Sequence, residues 1–269
     1  MRRILICDIP IDALTMSETL DIIDTAIAQK KTIHHVVVNA AKMVNAQTDP
    51  ELKSSIENCD IINADGQAIV WASAFLKKTL PERVAGIDLM ESLVELSSKK
   101  GYKIYLLGAK KEIVEKLAKI YTAKYGKEIM AGYRDGYFSK AEETQVADEI
   151  SKSNADILFV AMTSPKKEIF LNTYKKEINI PFIMGVGGSF DVISGLVKRA
   201  PLWMQKSGLE WLYRVIQEPR RMWKRYLIGN TKFIILILKE KFKGKKYITN
   251  ANNTSRRSKT EFYENSTSN

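Results

Sequence analysis

Six short runs of this chain are rich in β-branched and aromatic residues and apolar on both faces: Ile33–Val38, Asp60–Asn63, Lys103–Leu107, Ile129–Ala131, Ile157–Ala161 and Phe182–Val186. Each ends in or near Gly, Asn, Asp or Ser. Strands that read this way are covered on both sides, as in a parallel sheet between two helical layers. The intervening stretches have helical periodicity. Ile113, Val114, Leu117, Ala118 and Tyr121 form one apolar stripe. Ser139-Lys-Ala-Glu142 is a capping box ahead of Val146 and Ile150. Ser164-Pro165 offers an N-cap followed by proline at the first helical position. Strand–helix alternation of this kind predicts right-handed βαβ units and an α/β, Rossmann-like parallel sheet flanked by helices.

The pattern changes near residue 196. Beyond it the sequence predicts helices over Gly208–Gln217, Pro219–Ile228 and Thr231–Phe242, and a polar, disordered tail over Tyr247–Asn269. The expected organisation is a Rossmann-like catalytic domain over 1–195, a basic all-helical C-terminal appendage over 196–246, and the tail. Charge divides at the same place. The chain carries +11, yet from Leu196 onward 17 basic residues stand against 5 acidic ones, leaving residues 1–195 at −1. Such a basic end asks for an anionic partner.

Several classes are disfavoured. Cys7 and Cys59 are too few for a disulfide framework and suit a reducing compartment. His34 and His35, the two histidines, are adjacent on a strand, point to opposite faces and cannot chelate one metal. No Asp-x-Asp, P-loop or Gly-x-Ser-x-Gly occurs. The N-terminal apolar run is cut short by Asp8 and Pro10, and Phe233–Leu238 is far below the roughly 20 residues of a spanning helix. The expectation is a cytoplasmic protein, peripheral on a membrane.

In an open α/β sheet, ligands bind beyond the carboxyl ends of the strands. Asp65, in Asn63-Ala64-Asp65-Gly66, could serve as a general base or merely cap the following helix. Gly185-Val186-Gly187-Gly188-Ser189-Phe190-Asp191 could bring backbone amides to phosphate oxygens or simply make a tight turn, and Phe190 replaces the glycine a dinucleotide fingerprint needs. Lys166 and Lys167 lie in the first turn of a helix, where the macrodipole disfavours cations, which points to an anion or to a solvated basic turn. Arg83 suits bidentate phosphate contact or a surface pair with Glu82 or Asp88. Arg214, Arg220, Arg221, Lys224 and Arg225 interleave with Trp203, Trp211 and Trp223. That mixture describes an interfacial membrane helix, a packed helical cap, or a single-stranded nucleic-acid surface. No nucleic-acid motif accompanies it, so no nucleic-acid partner is expected.

Taken in order, Val38-Asn39-Ala40, Ala64-Asp65-Gly66, Pro81-Glu82-Arg83-Val84-Ala85-Gly86, Tyr105-Leu106-Leu107-Gly108, Pro165-Lys166-Lys167-Glu168, the Gly187-Gly188 loop, Lys198-Arg199-Ala200-Pro201 and Gly208-Leu209-Glu210-Trp211-Leu212-Tyr213-Arg214 resemble the WecG/TagA/CpsF glycosyltransferase family. The resemblance implies an inverting, metal-independent transferase that needs no cofactor. It moves a sugar from a UDP-sugar to a polyprenyl-diphosphate-linked sugar in cell-surface polysaccharide or teichoic acid synthesis, at an anionic membrane surface, as a homo-oligomer. It implies Asp65 as catalytic base, and Asn39, Arg83, Gly187, Gly188, Asp191, Arg214 and Arg221 as substrate-binding residues. Lys167 joins that group as a cation for the leaving diphosphate. Val37 and Lys167 depart from the Thr and Gln that TagA-like members often carry, which bears on the donor sugar. The alternatives are a nucleotide- or RNA-binding Rossmann-like protein without catalysis, and an NAD-linked dehydrogenase, against which Phe190 argues.

Overall fold

The structure, a computed structural model, describes residues 1–220, 223–224 and 226–243. The chain opens with a hairpin, β1 (Arg3–Ile6) and β2 (Ile9–Asp12), that the sequence reading did not anticipate. Its two-residue turn places Cys7 and Asp8 at φ of 50° and 60°. A turn with both central residues in the left-handed region matches the twist of paired strands but usually carries Asn-Gly, so the signal was absent.

There follow α1 (Met16–Ala28), β3 (Ile33–Val38), α2 (Ala40–Asn45), α3 (Pro50–Glu57), β4 (Ile61–Ala64), α4 (Gln67–Phe75), α5 (Gly86–Lys100), β5 (Ile104–Gly108), α6 (Lys111–Tyr125) and β6 (Met130–Arg134). Then come α7 (Glu143–Ser151), β7 (Ile157–Ala161), α8 (Lys166–Ile178), β8 (Phe182–Gly185), α9 (Ser189–Ile193), α10 (Leu202–Lys206) and α11 (Glu210–Gln217). The six predicted strands form one parallel sheet in the order β4-β3-β8-β7-β5-β6. Four of them are displaced or resized by one to three residues at their ends. The Ser139 capping box forms as expected, although it opens a 3-10 turn ahead of α7. Ser164-Pro165 does not cap α8: its peptide is cis, and the helix begins at Lys166 without a side-chain cap.

Two layers of side chains cover the sheet. Ile104, Leu106, Ile157, Phe159, Phe182 and Met184 face α1, α5 and α6. Tyr105, Leu107, Leu158, Val160 and Ile183 face α7 and α8. Each such buried side chain contributes about 1.5–3 kcal/mol, so the strands are held from both faces. The histidines are part of this interior. His35 Nε2 lies 2.8 Å from Asn63 Oδ1, and burial holds His34 and His35 neutral by pushing them down to about 3 and about 4.

The C-terminal segment departs from the expected three helices. Residues 226–243 are one continuous helix, with Gly229 and Asn230 inside it rather than at a break. Phe233 and Ile237 enter the core beside Ile6, Ile9 and Ile11 of the hairpin, and Lys78 pairs with Glu240 at 2.9 Å. The hairpin is thus the seat of the terminal helix. The opposite side of that helix leaves Leu227, Ile228, Ile234, Ile235, Leu238 and Phe242 exposed. Among the described residues, no helix is long and apolar enough to cross a membrane. The predicted tail, 247–269, lies outside the described residues.

Candidate active site

Because all six strands of the sheet run parallel, the turns after β3, β4, β7 and β8 emerge along one edge. β3 and β4 are in register at Val38 and Ala64, and the Asp65 amide donates to Val38 O at 2.8 Å. Asn39 and Asp65 therefore sit side by side. Asn39 caps α2, its Oδ1 accepting from the Lys42 amide at 3.0 Å, which leaves its side-chain N–H pair as the part that can meet a ligand.

Asp65 does not cap the next helix. Gly66 occupies the cap position of α4, with no side-chain hydrogen bond there. Among the described residues the Asp65 carboxylate has no hydrogen-bond partner. Burial raises its pKa, with Arg83 lowering it, Glu210 raising it, and Lys42 and Arg214 lowering it, to a net value of about 6. A carboxylate with that basicity is ionised at neutral pH yet a better proton acceptor than an ordinary aspartate.

Arg83 is brought in by the Val84 amide, which donates to Ala64 O at 2.9 Å and lays the Pro81–Gly86 loop along the end of β4. The guanidinium is mostly buried. It pairs with Glu210 of α11 at 3.1 Å and approaches Asp88 to 3.8 Å, whereas Glu82 turns away to accept from the Met16 amide. Arg214 lies one turn beyond Glu210 on the same helical face, close enough for its charge to act on Asp65. Arg221 is outside the described residues.

The start of α8 is not a solvated basic turn. Lys166 stacks over the Phe138 ring at 4.6 Å. Lys167 is buried: its stem packs on Gly185, and its Nζ lies 2.6 Å from Glu168 Oε1. The same oxygen is 2.9 Å from Nζ of Lys42, another buried lysine, which also donates to Val37 O at 2.6 Å. Both Glu168 contacts are close ion pairs without the angles of directional hydrogen bonds. Burial opposes the charge on Glu168, but Lys42 and Lys167 overcome it and hold the carboxyl down at about 2. Burial, with Lys42 adding to it, brings Lys167 down to about 8. Two cations thus share one anion beneath the edge of β3 and β8.

The loop after β8 completes the edge. Gly187 has φ +55° and open space where a Cβ would project, so the left-handed backbone, not crowding, requires glycine there. Gly188 precedes α9, and Asp191 lies in the first turn of that short helix. Gly208 is the opposite case: besides φ +68°, a Cβ would come within 2.8 Å of Trp71, so the chain entering α11 lies directly on α4.

The structure thus gathers Asn39, Asp65, Arg83 and Arg214 around one part of the edge and Lys167 under its floor. Gly187, Gly188 and Asp191 follow the strand next to β3. Lys42, Glu168, Arg199 and Glu210 were not singled out from sequence, and Asp88 was named only as a surface partner for Arg83. Lys42, Arg199 and Glu210 have partners far away along the chain, Glu168 adds the distant Lys42 to its neighbour Lys167, and a lone charge gives no signal of burial. Among the described residues, no group of three or more His, Cys, Asp or Glu side chains is placed to hold a metal ion.

A parallel α/β sheet that gathers a carboxylate and cations at its carboxyl edge has them where such folds bind their ligands. Comparison with known proteins gives the class. The profile described as "Glycosyl transferase WecG/TagA/CpsF family" matches residues 4–247, and the chain belongs to that family of glycosyltransferases. It is 36% identical over 203 residues, 76% of this chain and 78% of the relative, to N-acetylglucosaminyldiphosphoundecaprenol N-acetyl-beta-D-mannosaminyltransferase of Bacillus subtilis (strain 168). A protein of the same name from Bacillus spizizenii (strain ATCC 23059 / NRRL B-14472 / W23) is 35% identical over 216 residues, 80% of this chain and 82% of its own.

Proposed function

We propose that this glycosyltransferase moves a sugar from a UDP-sugar to a polyprenyl-diphosphate-linked sugar, with inversion, without a metal ion, and at an anionic membrane surface. The convergence of Asp65, Arg83 and the α11 charges on one part of the sheet's carboxyl edge carries this reading. Asp65 takes the proton of the acceptor hydroxyl as its oxygen attacks the anomeric carbon. The bond from that carbon to the diphosphate oxygen breaks, and UDP leaves with the bonding pair. One general base, worth about 10²–10⁴-fold, suffices for a single displacement. The charge that develops on the diphosphate meets Arg83, Arg214, the Gly187–Gly188 amides and the net positive Lys42–Glu168–Lys167 cluster, which do the work a divalent ion would otherwise do. Asn39 and Asp191 contribute polar contacts to the bound substrates, and Arg221, assigned to the substrate by the family resemblance, lies outside the described residues.

The acceptor's lipid gives the exposed apolar face of residues 226–243 a purpose. Leu227, Ile228, Ile234, Ile235, Leu238 and Phe242 are flanked by Lys232, Lys239 and Lys243, and Trp71, Phe75 and Trp203 are exposed as well. Apolar side chains ringed by lysines suit the headgroup boundary of an anionic bilayer. The names of the Bacillus relatives make an N-acetylglucosaminyl-diphospholipid the first acceptor to try and N-acetylmannosamine the first donor sugar. Val37, buried against Gly86, and Lys167 make other donor sugars worth including. The test is a panel of UDP-sugars with a short-chain lipid-diphosphate N-acetylglucosamine, read by UDP release. Acceptor-dependent release with one donor supports the proposal, and no release with any donor rejects it.

A further inference from the structure

Arg83 and Arg199 share two carboxylates that reach them from different parts of the fold. Asp88 lies in the first turn of α5, and Glu210 opens α11. Arg199 grips Asp88 through both terminal nitrogens, at 2.5 and 2.9 Å. Arg83 holds Glu210 Oε2 at 3.1 Å and stands off from Asp88 at 3.8 Å. One donor is left over. Nε of Arg199 is shielded from solvent and has no hydrogen-bond partner, and the other Glu210 oxygen, Oε1, lies 3.8 Å away. A buried guanidinium N–H without an acceptor is unfavourable, and a shift of about 1 Å in the Glu210 side chain would satisfy it.

We propose that Glu210 is a positioning residue with two berths. Paired with Arg83, its carboxylate stands where the donor's phosphate would bind. When the diphosphate arrives, it takes Arg83, and Glu210 completes the hydrogen bond to Nε of Arg199. The exchange frees the donor contact while α11 stays tethered to the Asp88–Arg199 pair. This inference rests on the reading of Arg83 as a diphosphate contact, and it assigns Glu210 and Arg199 to the same binding step.

The test is calorimetric titration of UDP into the full chain at fixed ionic strength, for wild type, Glu210→Gln, Arg199→Lys and the double variant. Glu210→Gln removes the competitor and tightens UDP binding about fivefold, the scale of a partly exposed ion pair. Arg199→Lys keeps a positive charge but removes the second berth, and weakens binding by a similar factor. In the Glu210→Gln background the Arg199 change has no effect. A merely structural brace would weaken binding in both single variants, so unchanged or weaker binding by Glu210→Gln overturns the proposal. Wild-type protein that binds no UDP overturns the UDP-sugar reading and this inference together. If a variant loses its fold by circular dichroism, wild-type crystals with UDP decide. Arg83 on a phosphate with Glu210 on Arg199 Nε supports the exchange, and an intact Arg83–Glu210 pair overturns it.

Discussion

Replacing Glu168 by Gln should be among the most damaging single changes in the protein, although the two side chains are nearly the same shape. The Glu168 carboxylate is 4% exposed, and one of its oxygens lies within 2.6 and 2.9 Å of two ammonium groups that are 7% and 6% exposed. Removing the anion leaves two mutually repelling cations in the interior with no counter-charge, and only the Val37 carbonyl to hold Lys42. Breaking a buried pair in this way costs about 3–5 kcal/mol. That is a large part of the 5–15 kcal/mol typical of a folded domain, and corresponds to a fall in Tm of roughly 10 °C. The pH dependence identifies the cause. Glu168 is held at about 2, below its ordinary 4.5, so its contribution is fully present above 4.5 and is lost as pH falls toward 2. Urea denaturation of wild type followed by circular dichroism should show that acid loss, and Glu168→Gln should lack it. Changing Lys167 to Leu along with Glu168→Gln should recover much of the stability by removing one stranded charge. A single Glu168→Gln variant within 1 kcal/mol of wild type at pH 7 would refute the reasoning.

Activity should depend on pH through Asp65. The carboxylate must be ionised to accept a proton, so kcat/KM should fall below about 6, and a flat profile down to pH 4.5 would count against it. Changing Ile234, Ile235 and Leu238 together to Asn should abolish sedimentation with phosphatidylglycerol vesicles. It should leave turnover of a water-soluble acceptor within about twofold, because these side chains are exposed and remote from the hairpin contacts. Gly208→Val should loosen the entry to α11 by about 1–3 kcal/mol, since a side chain there combines φ +68° with a clash on Trp71. The readout is faster tryptic cleavage after Arg214.

The sheet was legible because burial on both faces leaves its inner strands few polar positions, and His34-His35 did not obscure the first of them since both rings are neutral inside. The hairpin was not, because its turn uses Cys7-Asp8 and its apolar face is completed by Phe233 and Ile237 from the far end of the chain. Gly229-Asn230 read as a break, yet packing on either side carries the helix through them. In the site, Asp65 and Arg83 could be nominated because they follow strands and loops. The choice between base and cap could not be made until Gly66 was seen in the cap position. Nothing local announced Glu210 or Glu168. Glu210 gains its meaning from Arg83, 127 positions away, and Glu168 from Lys42, 126 positions away, acting with its neighbour Lys167.

The most direct measurement is single-turnover kinetics of Asp65→Asn beside calorimetric UDP binding by the same protein. Loss of at least about 10²-fold in the transfer rate, with UDP affinity within a few-fold of wild type, is the predicted result. Transfer at the wild-type rate by that variant would contradict the assignment of the base and, with it, the chemistry proposed for this edge of the sheet.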